Sequence, residues 1–161
     1  MNSAHYHLIV NHLPIIMPIV GLLILVGGFV FRSEMVKRTS FFIFILAALS
    51  AIAASATGDS AQEAIKHLPG ISDQLIHTHE EDAETFSIIL YLLGGLSAIA
   101  LWASWKQKSY ARLLSWFVIG LSVVVLFFSK QTGTSGGVIR HSEIRTDTTG
   151  IQSTPSQTKN D

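Results

Sequence analysis

The stretch from Leu8 to Phe31 reads LIVNHLPIIMPIVGLLILVGGFVF and contains no Asp, Glu, Lys or Arg. A helix needs roughly 20 apolar residues, at about 1.5 Å each, to cross a hydrocarbon core about 30 Å thick. No Lys or Arg precedes this stretch and no small-residue cleavage site follows it. We therefore interpret it as a retained transmembrane helix and not as a signal peptide.

Three further apolar runs follow, and the four predicted spans cover residues 8–31, 39–57, 86–105 and 110–130. The composition agrees, since only 14% of the 161 residues are charged, against about 25% in soluble domains. We predict an all-α fold, an integral membrane up-down four-helix bundle in residues 1–145. Residues 146–161 lack apolar periodicity and are expected to form a disordered tail.

Basic residues mark two of the connections between the spans. They are Arg32, Lys37 and Arg38 in the first, and Lys106, Lys108 and Arg112 in the third. Ten of the eleven acidic residues lie elsewhere. The positive-inside rule predicts that these two connections are cytoplasmic, so both termini lie outside.

An internal repeat relates the two halves of the chain. The segment Leu8–His12 (LIVNH) aligns with Leu75–His79 (LIHTH) at an offset of 67, which also places Gly27-Gly28 on Gly94-Gly95. A duplicated helical hairpin would give such a bundle a pseudo-two-fold axis. Glycine pairs are also common in membrane helices because they allow close packing, so both explanations stay open.

The chain has seven histidines and no cysteine. Thiolate ligands are therefore excluded, and any metal chemistry depends on histidines, carboxylates, methionines or the backbone. All the histidines fall on the predicted outer side. His5, His67, His79 and His141 lie 27 to 29 residues from the cytoplasmic basic residue of their helices, or roughly 40 Å along a straight helix. They would then share one level, with His12 lower, beside Pro14.

The outer segment between the second and third spans is expected to form two helices. Ser60 can cap a short helix over residues 61–67, because Gly58 is expected to end or bend the second span. Ser72 can start a second helix that continues into the third span. Within it, Thr78-x-x-Glu81 matches a capping box.

Glycines follow the fourth span as well. The segment Thr132–Gly137 (TGTSGG) predicts a tight turn that folds the chain back over the mouth of the bundle. Arg140 and His141 would then face the other histidines. This favours a lid, a metal ligand or, for Arg140, a contact with haem propionates.

Four motifs resemble those of an uncharacterised family of bacterial four-helix inner-membrane proteins with outward-facing histidines. They are NHLP at 11–14, TGDSAQE at 57–63, HE at 79–80 and TGxxGG at 132–137. The resemblance covers residues 5–145. It implies a multi-pass protein of the bacterial inner membrane, found near respiratory components. It also implies that His12, Glu63, His79, Glu80 and His141 are the positions to test, and, by analogy, a b-type haem.

Three functions remain open from the sequence. The first is electron transfer through haem b in a histidine-rich site at the periplasmic face. His12 and His79 are its first-choice ligands, and His5, His67 and His141 the alternatives. The second is a zinc, copper or iron site, whose candidate ligands are His77, His79, Glu63, Glu80 and His141. The third is a structural or assembly subunit.

Charge and motif content narrow the classes of partner. The net charge is zero, so we expect no nucleic-acid partner. No motif identifies a nucleophile or a substrate, and we do not expect an enzyme. The partners expected are the lipid bilayer, respiratory or other membrane subunits, and further copies of the chain in a homo-oligomer.

Overall fold

The computed structural model describes residues 3–67 and 71–141, without the side chains of Ser3, Ala4 and Arg140. The helices are α1 (Ser3–Val10), α2 (Leu13–Val30), α3 (Glu34–Ile65), α4 (Asp73–Trp105) and α5 (Ala111–Arg140). Since α1 and α2 follow one another almost directly, they count as one of four helices that are long and apolar enough to cross a membrane. The predicted all-α four-helix fold is confirmed.

Each long helix packs against the next one along the chain, and α2 meets α5 more sparsely to close the ring. This is the up-down order that short connections impose. The core between the helices is apolar and fully buried. Its largest side chains are Leu25, Phe41, Phe44, Leu90, Leu93, Val118 and Val125.

Two ends of the bundle differ in chemistry. The basic end comprises residues 31–38 and 104–112, which include the α2–α3 and α4–α5 connections. The histidine end comprises residues 3–12, 57–67, 71–84 and 130–141. Between the two ends we take as membrane-spanning the helix α2 and the charge-free segments 39–56, 85–103 and 113–129.

Pro14 separates α1 from α2. Proline has no N–H to donate to the carbonyl of Val10, and its ring clashes with that turn of helix. Backbone bonds from Asn11 N to His7 O (2.9 Å) and from Ile16 N to His12 O (3.0 Å) continue on either side. The chain therefore kinks without a loop, and α1 packs on α3.

The two connections at the basic end are built alike. Arg32 and Gln107 adopt positive φ values of 52° and 50° just after α2 and α4. After α2, Ser33 N donates to Gly28 O (2.9 Å) and Arg32 N to Phe29 O (3.2 Å). After α4, Lys108 N and Gln107 N make the same two bonds. Both helices thus end in a Schellman motif, which satisfies their last carbonyls.

Only one glycine of each pair is a packing site. A Cβ at Gly28 would lie 2.6 Å from Lys37 Cγ, and one at Gly94 would lie 2.5 Å from Ala48 Cβ. Gly95 has nothing within 4 Å. The offset of 67 aligns Gly28 with Gly95, so the repeat does not extend to the packed glycines. Gly28 and Gly94 thus serve helix packing, whereas Gly95 faces open space.

Ser72 starts α4 as predicted, and its hydroxyl accepts from Leu75 N (3.4 Å). Since α4 begins there, Thr78 lies inside the helix and donates to Gln74 O (2.9 Å), so the capping box at Thr78 is wrong.

Two predicted helix ends are also wrong. The helix α3 runs through Gly58 and Ser60 to Ile65, so no separate helix over 61–67 exists. The helix α5 runs through 132–137 to Arg140, so the glycine turn is absent. A glycine costs a helix only about 1 kcal/mol relative to alanine, which the contacts at the histidine end offset. The predicted tail, 146–161, lies outside the described residues.

Candidate functional site

His7 fastens α1 to α3 at the histidine end. Its Nδ1 lies 3.1 Å from the carbonyl oxygen of Ala54 and 3.0 Å from the hydroxyl oxygen of Thr57. A carbonyl oxygen only accepts, so Nδ1 is the nitrogen that carries the proton. In the neutral imidazole, Nε2 is then the unprotonated nitrogen, with a lone pair available to a ligand.

His79 fastens α4 to α5 in the same way. Its Nδ1 lies 3.1 Å from Ser135 Oγ, and that hydroxyl donates its own hydrogen to Thr132 O (3.2 Å). Ser135 Oγ therefore accepts from Nδ1, which again leaves Nε2 of the neutral ring unprotonated. The ring lies against Gly136, where a Cβ would stand 2.9 Å from His79 Cε1.

Electrostatics keeps His79 neutral at pH 7. This residue lies outside the membrane-spanning segment of α4. Burial lowers the pKa of His79 most, and the charge that nearby His7 can carry lowers it further. The carboxylate of Asp82 and the carbonyl of Thr132 act in the opposite direction but do not outweigh these two effects. His7 and His79 thus lie at the same end of the bundle and influence one another electrostatically, and we call them the histidine pair.

A further contact fixes the register between α4 and α5 beside the pair. Thr132 Oγ1 donates to the backbone oxygen of Asp82 (3.0 Å), and Thr132 is buried. The histidine pair is therefore held by α1, α3, α4 and α5. Such anchoring of the far ring nitrogen is typical of histidines that bind metals.

The other haem-ligand candidates lie apart from this arrangement. His12, at the kink between α1 and α2, is exposed and contacts Asn11 Oδ1 through Nδ1. His5, His67 and His141 are exposed, and His141 caps the end of α5. The side chain of Arg140 lies outside the described residues. Of the two first-choice ligands, only His79 lies in the half-buried site.

The metal-ligand candidates other than His79 lie on exposed surface. His77 has Nδ1 3.6 Å from Glu81 Oε1 one turn away. Glu63 forms an ion pair with Lys66, and Glu80 is exposed. Throughout residues 3–67 and 71–141, no three His, Asp or Glu side chains converge as a metal ion would require.

Sequence reasoning missed His7, Asp82, Ser135 and Gly136. For a straight first helix, the estimated height of His7 did not distinguish it from the other histidines. The kink at Pro14 instead allows α1 to pack against α3. A signal was present, because α3 and α5 each carry a Thr-Gly dipeptide, at 57–58 and 132–133. The hydroxyl groups at and just after these dipeptides contact the two rings.

The fold and this site define a four-helix membrane protein with two anchored, neutral histidines at one end of the bundle. Residues 5–143 match the family described as "Predicted membrane protein (DUF2231)". The chain belongs to this family. No curated protein and no solved structure matches it.

Proposed function

We propose that this membrane protein binds a b-type haem through Nε2 of His7 and Nε2 of His79, and that it transfers electrons. The observation that carries the proposal is the histidine pair itself. Two neutral imidazoles come from different helices, and each is fixed through Nδ1 by groups of a further helix. Each keeps an Nε2 lone pair, the donor that iron requires.

The donor set fits haem better than a bare ion. The porphyrin supplies four nitrogens, so two histidines complete six ligands around the iron. A zinc, copper or iron ion without porphyrin takes three or four ligands from the protein. Among the described residues no such group of His and carboxylate side chains converges.

A bound haem would supply one-electron redox chemistry. The residues of this chain would hold the haem and tune its properties. Ala54 O and Ser135 Oγ orient the two rings. The lowered pKa of His79 keeps this ring unprotonated at neutral pH, so that a proton does not compete for Nε2. If both histidines held the iron, no ligand position would remain for a substrate, so we expect electron transfer and not turnover of a substrate.

The positive-inside rule supports a location at the outer face, because the histidine end lies opposite the basic connections. In a bacterial inner membrane this face is periplasmic. The redox partner would then be a periplasmic or membrane-bound respiratory component. Oligomerisation with further copies of the chain is compatible with this arrangement.

Optical spectroscopy tests the proposal directly. The full chain is purified in mild detergent from cells supplied with haem, and spectra are recorded oxidised and after dithionite. We expect a Soret band that shifts on reduction and is lost in His7→Ala and in His79→Ala. His12→Ala and His77→Ala, which change exposed histidines, are the matched controls and should keep the band.

Three results would contradict the proposal, the first of them its ligands and the other two the haem itself. A band lost in His12→Ala but kept in His7→Ala would reassign the ligands. A featureless spectrum with one equivalent of zinc, copper or iron by elemental analysis would replace haem by a metal ion. Purified protein that contains neither haem nor a metal ion would favour the structural or assembly subunit.

A further inference from the structure

An apolar groove runs between α2 and α5 near the histidine end. Its volume is about 430 Å³, and its apolar lining comes from Ile15, Ile19 and Leu126. Gly133 leaves it open, since a Cβ there would meet only Ile15 Cδ1 at 3.9 Å. The groove forms where α2 and α5 pack sparsely, so it opens to the surface that faces lipid.

Lys130 stands at the upper rim of this groove, where the membrane ends. It lies 18 residues from Arg112 on the same helix, which is roughly 27 Å along the axis and close to the thickness of the hydrocarbon core. The bond from Thr132 to Asp82 sets Lys130 level with Glu84. Glu84 is the first charged residue met on α4 from the membrane side.

Lys130 forms no ion pair within 4.0 Å in the part of the chain that the structure describes. Its side chain is exposed. It also lines a second, smaller groove of about 350 Å³, together with Asp82, Phe127 and Ser135. A cation thus stands between two grooves at the level where phospholipid phosphates lie.

We propose that the α2–α5 groove is a binding site for one phospholipid of the leaflet at the histidine end. An acyl chain lies against Ile15, Ile19 and Leu126, and the phosphate binds the ammonium of Lys130. Apolar burial holds the chain, while the charge-assisted contact selects a phosphate headgroup over an uncharged lipid. This site is separate from the histidine pair and does not depend on haem.

Native mass spectrometry of the full chain in mild detergent tests the site. We expect wild-type protein to retain one phospholipid and, after delipidation, to rebind phosphatidylglycerol at least about tenfold more tightly than diacylglycerol, which lacks the phosphate. Lys130→Gln removes the cation, and Gly133→Leu fills the groove. The first should lose this headgroup preference and the second should lose binding.

Two variants control for general effects of the substitutions. Gly120→Leu places the same side chain at an exposed glycine of α5 with nothing within 4 Å, and Lys108→Gln removes a cation at the basic end. Both should retain the lipid, and circular dichroism should show all four variants folded. Equal binding of phosphatidylglycerol by wild-type protein and Gly133→Leu would overturn the proposal. Diacylglycerol binding as tight as phosphatidylglycerol, or a stoichiometric quinone in place of phospholipid, would overturn it as well.

Discussion

Replacing Gly94 by alanine is expected to destabilise the bundle, whereas the same change at its neighbour Gly95 is not. The two residues are adjacent in α4, so their helical backbone and sequence context are nearly identical. They differ in what a side chain would meet. A Cβ at Gly94 lies 2.5 Å from Ala48 Cβ and 3.6 Å from Phe44 O, whereas a Cβ at Gly95 meets nothing within 4 Å.

The expected magnitude follows from this overlap. Carbon atoms pack best about 3.5–4.0 Å apart, so α3 and α4 must separate by roughly 1 Å near Ala48. Overpacking of this kind costs about 1–3 kcal/mol. Alanine is better than glycine in a helix by about 1 kcal/mol, and both variants receive that gain. Gly94→Ala should therefore be less stable than Gly95→Ala by about 1–3 kcal/mol, which is the overlap cost alone.

Unfolding in mixed micelles of mild detergent and dodecyl sulfate, followed by circular dichroism, measures this difference. The double variant Gly94→Ala/Ala48→Gly removes the atom that the new Cβ strikes and should recover most of the loss. Equal stabilities for Gly94→Ala and Gly95→Ala would refute the reasoning. So would a failure of Ala48→Gly to rescue, because the loss would then not arise at this contact.

Three further predictions concern the two ends of the bundle. Burial lowers the pKa of His79, so below a pH of about 6.5 the unfolded chain binds a proton at this residue more readily than the folded protein does. Thermal stability should therefore fall as the pH drops below this value. The fall should be smaller in His79→Gln. Arg38 donates from Nε and Nη2 to Ser104 Oγ (2.9 Å) and Ser104 O (2.8 Å), so Arg38→Lys should cost about 1–2 kcal/mol in the same unfolding assay, with exposed Arg112→Lys unchanged. Gln107 has a φ of 50°, so Gln107→Gly should raise stability by about 0.5–1 kcal/mol while Gln107→Ala does not.

The sequence was sufficient for the four long helices because lipid leaves the backbone few alternatives. Without water to bond its N–H and C=O groups, a spanning chain must satisfy them within a helix. An 18-residue apolar segment such as α2 must therefore form a helix in the membrane, whichever helices pack against it. Ser72 was predictable for a similar reason, since a serine before a helix satisfies free N–H groups locally.

The same reasoning was wrong beyond the membrane, where several outcomes have similar free energies. Gly58 and Gly133 were expected to end or bend their helices, yet both helices continue. A penalty of about 1 kcal/mol for glycine is no larger than a few hydrogen bonds between helices. Thr132 and Ser135 make such bonds to α4. The Thr-Gly dipeptide at 132–133 marks their place in the sequence but does not identify their partners on α4.

The same limit applies to the site. His12 was a first-choice ligand and one of the positions that the family motifs indicate, but the kink at Pro14 changes which histidine reaches the other helices. His7 contacts α3, the partner helix of the first hairpin, and His79 contacts α5, the partner helix of the second. Each hairpin thus contributes one anchored imidazole, and the histidine pair forms only when the two hairpins pack together. A ligand bound to both rings would bind the assembled bundle and not the separate hairpins, so it would stabilise the fold by mass action. If the proposed haem binds both rings, its binding and the assembly of the four helices are one equilibrium.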